Sequence, residues 1–74
     1  MLTVARHLRQ YRDCGTAKSV AVRAGISPVT YSHWELGYAY CKLSAEKAAR
    51  VAHIIGVEPE QIIDDEGYAV VYTT

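Results

Sequence analysis

The chain has 74 residues, half of them apolar, and a formal net charge of zero. That is enough for one small core and too apolar for a disordered chain, no apolar run approaches the about 20 residues that cross a bilayer, and no basic-then-apolar leader pattern is present. The zero charge hides a division: residues 1–50 carry all eight Lys and Arg against three acids (+5), while residues 51–74 carry five acids and no base (−5).

In chain order, Val4, Leu8 and Tyr11 recur at i, i+4, i+7, which predicts a first amphipathic helix over 4–13 with these side chains inward. Thr3 caps it and Gly15 ends it. Thr16 then stands at the N-cap of a second helix, with Val20, Ala21 and Ala24 as its inner stripe and Gly25 as its stop. Ser27 caps a third helix over 27–36, with Pro28 in the first turn, where a missing N–H costs nothing. Tyr31 and Trp34 face inward from it, and Gly37 stops it. Ser44 caps a fourth helix with Ala48, Val51, Ala52 and Ile55 inside, ended by Gly56. Glu58 and Pro59 open a short fifth helix carrying Ile62 and Ile63. After Gly67 the residues Tyr68, Ala69, Val70, Val71, Tyr72, Thr73 and Thr74 are mostly strand formers.

Chemistry-bearing clusters are few. Cys14 and Cys41 are isolated, with no CxxC and no histidine at ligand spacing, so they read as free thiols in a reducing cytoplasm rather than as metal ligands. His7, His33 and His53 fall on different helices, and no Ser or Cys sits in a nucleophile motif. A catalytic function, a metal and a cofactor are therefore not expected. A basic body with an acidic end fits a nucleic-acid binder with a separate assembly segment; its plain alternative is uneven solvated charge.

Only Gly25, Ile26 and Ser27 separate the second and third helices. Ala21 is small where the two would cross, Gly25 can supply a positive φ, and Ile26 can plug the turn. Those are the requirements of a helix-turn-helix whose second helix offers a free face to a major groove. The stretch TAKSVAVRAGISPVTYSHWELG, with AxxxGIS followed by TYSxWExG, resembles the lambda-repressor-like, Cro-type helix-turn-helix family, also called the XRE family. The resemblance covers roughly residues 4–64, and VAHIIGVEPEQII is similar to the family's fourth-helix end and fifth helix.

The resemblance implies an all-α, five-helix DNA-binding domain over 1–66, here followed by a short C-terminal β-strand over 67–74. It implies that Pro28, Val29 and His33 occupy the base-edge positions, with Ser27 and Ser32 beside them. Pro28 and Val29 suit a thymine methyl, and His33 or Ser32 can donate or accept at a base edge. The plainer alternatives are a helix starter for Pro28, a core-edge residue for Val29 and a solvated imidazole for His33. Phosphates would be met by the N-terminus of helix two at Thr16, Ala17 and Lys18, by Lys42 in the loop after helix three, and by the hydroxyls of Tyr38 and Tyr40. Arg6, Arg9 and Arg23 are weaker candidates for phosphate contact and read rather as surface charge. Glu35 reads as structural, with Arg9 or Arg12 of helix one as its partner by resemblance.

Three departures stand out, the first being a link between helices one and two that is a residue or two short. Thr16-Ala17 occupies the place of the family's usual Ser-Gln, and Tyr38, Ala39 and Tyr40 replace a basic turn. Three functions follow: a small Cro-like repressor on a palindromic operator, an activator or antitoxin-type regulator of the same fold, or a protein-interaction module without DNA binding. The chain is expected in the cytoplasm of a bacterium or phage-infected host, without a membrane partner or small-molecule effector. A lone strand cannot satisfy its own N–H and C=O groups, and residues 4–64 read as helices and turns. The tail is therefore expected to be disordered, to lie along its own helices, or to pair with a second copy. Symmetry favours a homodimer through Tyr68, Val70, Val71 and Tyr72.

Overall fold

The computed structural model describes residues 2–73. Four helices follow one another: α1 (Val4–Tyr11), α2 (Ala17–Ala24), α3 (Pro28–Glu35) and α4 (Ala45–Ile55). Three begin with a side-chain cap. Thr3, Thr16 and Ser44 accept from the backbone N–H groups of Arg6, Ser19 and Lys47 at 3.3, 3.1 and 3.2 Å. Such caps are each worth about 1 kcal/mol. Ser27 stands at the N-cap of α3, but its hydroxyl makes no cap bond. Pro28 already removes one orphan donor, and the exposed first turn leaves the others to water.

Paired i−3 and i−5 bonds close three helices. At the turn after α2, Gly25 N–H donates to Val22 O at 3.2 Å and Ile26 N–H to Ala21 O at 2.9 Å, with Gly25 at φ 72°. The same closure follows α3, with Gly37 at φ 83°. It also follows α1, where the left-handed position is taken by Asp13 at φ 53°. The expected stop, Gly15, belongs to the next turn; an aspartate can occupy this region because its short polar side chain tolerates it.

The core is built from Ala5 of α1, Val20, Ala21 and Ala24 of α2, Ile26, Tyr31 and Trp34 of α3, and Val51, Ala52 and Ile55 of α4, with Ile62 beneath. On α1 the inward stripe differs from the expected one. Ala5 is fully buried, Val4 and Leu8 are half-buried, and Tyr11 is 78 % exposed. Tyr11 is the last helical residue and stacks outside on His7, ring centroids 5.8 Å apart.

The expected fifth helix is a single 3-10 turn, Pro59–Gln61. It goes no further because Ile62 and Ile63 turn at once into extended pairing. Val70 N–H donates to Ile62 O and Asp64 N–H to Tyr68 O, both at 2.9 Å, around an antiparallel bridge between Ile63 and Ala69. Asp64 makes the turn, its Oδ1 accepting from the N–H groups of Glu66 and Tyr68. The tail then reaches the start of the chain. Val4 N–H donates to Val70 O and Tyr72 N–H to Leu2 O, both at 2.9 Å, around a bridge between Thr3 and Val71. Partners upstream thus exist for the tail, contrary to expectation: the two short segments that flank the helices. The pairing amounts to isolated bridges rather than a sheet. The last expected strand residue, Thr74, lies outside the described residues, as does Met1.

Candidate nucleic-acid interface

Long-range polar contacts fix α3. Its inner face carries Tyr31 and Trp34, both fully buried, and Glu35. Arg9 of α1 grips the Glu35 carboxylate through two nitrogens, with Nε 2.9 Å from Oε2 and Nη2 2.7 Å from Oε1. Side-chain exposures of 11 % and 4 % make this a buried pair, so of the two partners expected for Glu35 it is Arg9 that serves, and it is not surface charge. Its remaining fork, Nη1, donates to Gly15 O and holds the link between α1 and α2. Arg12, the alternative partner for Glu35, instead donates to the Ile55 and Gly56 carbonyls and caps the end of α4. Thr3 Oγ1 donates to Glu35 O at 2.6 Å.

At the other side, Trp34 Nε1–H donates to Gly67 O at 3.0 Å, and Leu43 N–H reaches the same carbonyl at 2.9 Å. Gly67 sits at φ 100°, and a Cβ there would lie 2.8 Å from Leu43 O. The buried Tyr31 hydroxyl has no partner within hydrogen-bond distance. Burial, reinforced by the nearby Glu35 carboxylate, pushes its pKa well up from the ordinary tyrosine value.

With its back held, α3 turns the other face outward. Ser27, Pro28, Val29 and Thr30 are exposed, Val29 at 64 %, and Ser32 and His33 are half-buried. Val29, Ser32 and His33 therefore point away from Tyr31 and Trp34, while Ser27 and Pro28 lie on the Tyr31 side of the helix and are exposed because they form its N-terminal turn. A large apolar side chain in water at Val29 is the informative feature, since α3 has a full apolar face already packed.

The flanks are mixed. The hydroxyl of Thr16 is used on Ser19 N–H, which leaves the first-turn N–H groups of Ala17 and Lys18 outside the helical ladder. Thr16 and Lys18 are exposed and Ala17 is half-buried. Lys42 is exposed, its Nζ 5.3 Å from the centroid of the Tyr68 ring. Tyr38 and Tyr40 are exposed but not free: with His33 they form a cluster of three rings, and the Tyr40 hydroxyl lies 3.2 Å from His33 Nδ1. Sequence reading missed this cluster, because nothing in a spacing of five and seven residues shows that the loop folds back.

Elsewhere, Cys14 and Cys41 are free thiols, and Cys41 Sγ donates to Thr30 O, its pKa raised by burial. Among the described residues no group of three or more His, Cys, Asp or Glu side chains gathers to hold a metal, and no helix is long and apolar enough to cross a membrane. A shallow groove of about 390 Å³ between α2 and α4 is lined by Arg23, Glu46, Ala49, Arg50, His53 and Ile54, none of them on α3.

Among known protein families, the model of the family described as Helix-turn-helix matches residues 8–62, well over half of the chain. No match was found among curated proteins or among solved structures.

Proposed function

This chain belongs to the lambda-repressor-like (XRE) helix-turn-helix family of DNA-binding transcription regulators, and from that premise we propose that it is a small Cro-like repressor that reads a palindromic operator with α3. The observation that carries the reading is the asymmetry of α3: a rear face of Tyr31 and Trp34 with no exposure, an exposed N-terminal turn of Ser27, Pro28 and Val29, and Ser32 and His33 half-buried on the side away from the core. In a major groove, Pro28 and Val29 pack on thymine methyls while Ser32 and His33 make single hydrogen bonds. The first turn of α2 at Thr16, Ala17 and Lys18, with Lys42 and Tyr38 beyond α3, meets phosphates and sets affinity. The alternatives are an activator or antitoxin-type regulator, and an interaction module that does not bind DNA.

The operator is palindromic because the protein acts as a homodimer, its reading helices about 34 Å apart. The tail supports this in part. Its backbone bonds run through Tyr68 O, Val70 N, Val70 O and Tyr72 N. The N–H groups of Val71 and Thr73, on exposed residues, find no backbone acceptor among the described residues. A second tail can pair antiparallel along that edge, with Tyr68, Val70, Val71 and Tyr72 at the joint.

Selection from random duplexes, followed by titration at two salt concentrations, tests the reading. A repressor gives a selected palindrome bound with a salt-dependent affinity; no enrichment and no salt dependence would leave the interaction module instead. Transcription from a promoter carrying the selected site then separates repression from activation. For the dimer, Val71→Lys in sedimentation equilibrium is expected to give a folded monomer with weakened operator binding. An unchanged dimer would move the joint elsewhere.

A further inference from the structure

The loop after α3 is anchored from both ends. Gly37 lets Tyr38 N–H return to His33 O at 3.1 Å, Cys41 N–H closes on Tyr38 O at 3.1 Å, and the buried Cys41 thiol holds Thr30 O at 3.1 Å. Tyr38 and Tyr40 are thereby delivered to the imidazole of His33. Ring centroids lie 5.0 Å apart for His33 and Tyr38 and 5.6 Å apart for the two tyrosines, and Tyr40 meets His33 edge-on at 5.9 Å. The tyrosines restrict rotation of the imidazole, and the Tyr40 hydroxyl engages one of its two nitrogens.

A neutral imidazole has one nitrogen that donates and one that accepts. A phenol is a better donor than acceptor, because its oxygen lone pair is delocalised into the ring, and the bare imidazole nitrogen is the stronger base of the two. The bond between them therefore runs from Tyr40 O–H to His33 Nδ1, and the imidazole proton sits on Nε2. Resting on the reading of α3 as the base-reading helix, we infer that Tyr40 is a specificity-determining positioning residue. Through His33 it presents an Nε2–H donor to the acceptor edge of a guanine. In the major groove guanine offers two acceptors, N7 and O6, and no donor; adenine sets its N7 beside an amino donor, thymine sets its O4 beside a methyl, and cytosine offers only an amino donor. An imidazole fixed as a donor gains least at those amino groups; an imidazole free to exchange its proton accepts from them as well.

The test pairs nitrogen-15 spectra of His33 with duplex selection, using the wild type, Tyr40→Phe and His33→Ala. Tyr40 is 73 % exposed and the phenylalanine keeps its ring, so the variant retains the fold, which circular dichroism checks. At about pH 8.5, where imidazoles are neutral, the wild-type spectrum is expected to show one tautomer with the proton on Nε2, and Tyr40→Phe a mixture. In selection, the guanine preference at the position lost in His33→Ala is expected to fall about fivefold in Tyr40→Phe, with nonspecific affinity unchanged. Three results overturn the proposal. An unchanged tautomer and unchanged guanine preference in Tyr40→Phe remove the role of the hydroxyl while His33 remains a base reader. An equal loss on every duplex with an unchanged tautomer makes Tyr40 a phosphate contact. No effect of His33→Ala on any base preference removes the base-reading role of His33, and this inference with it.

Discussion

Replacing Arg9 with alanine removes one half of the buried pair with Glu35 and leaves the other half in place. Glu35 has a side-chain exposure of 4 %, and each of its carboxylate oxygens accepts from Arg9. In the variant its charge has no guanidinium within reach and little water, and orphaning a buried ion costs about 3–5 kcal/mol. A chain of this length has roughly 4–11 kcal/mol in all, at about 0.05–0.15 kcal/mol per residue. The loss also frees Gly15 O from Nη1 and loosens the link into α2. The variant is therefore expected to sit near the limit of folding at 25 °C. At about 4–8 °C per kcal/mol for a domain of this size, its Tm falls by at least about 12 °C. Trp34, the only tryptophan, is fully buried and reports urea unfolding by fluorescence. The double variant Arg9→Met, Glu35→Leu should recover most of the loss, because apolar replacement of both partners removes the stranded charge. A single variant losing less than about 1 kcal/mol, or a double variant no better than the single, would refute the assignment of this pair as the clamp on α3.

Gly67→Ala forces a Cβ to 2.8 Å from Leu43 O at φ 100° and should cost about 1–3 kcal/mol in urea unfolding; a neutral result would mean that the carbonyl gripping Trp34 has room to move. Because the Tyr31 pKa is raised in the folded state, stability is fully present below the ordinary tyrosine value of about 10 and falls as pH rises through it. Tyr31→Phe, which also removes an unpartnered buried hydroxyl, should move that alkaline unfolding upward; an unchanged midpoint would dissociate it from Tyr31. Val29→Ala is expected to weaken operator binding by about 1–3 kcal/mol with little change on nonspecific duplex, and equal losses on both would remove its base-reading role. Lys42→Ala should weaken binding to every duplex and lower the salt slope by about 1; an unchanged slope would place Lys42 outside the interface.

The amino-acid sequence by itself determined the features that depend on neighbours three to five residues apart. The caps Thr3, Thr16 and Ser44, the turn at Gly25 and the buried stripe of α4 are of this kind, because their bonds close within one helical turn. The tight turn between α2 and α3 carries the family assignment for the same reason. Tertiary structure alone decided the rest. Glu35 and Arg9 are 26 residues apart and Trp34 and Gly67 are 33 apart, and no local period distinguishes Arg9 from Arg12 as the partner. Tyr11 satisfies the apolar spacing of α1 yet is 78 % exposed, stacked on His7, whose ring also stacks on Tyr72 of the tail. The pairing of Val70 and Tyr72 with Val4 and Leu2 brings the two ends of the chain together, and backbone hydrogen bonds between such distant segments depend on where the helices put them. His33 is the clearest case: its outward position follows from α3, but which of its nitrogens is engaged depends on a loop that folds back to it.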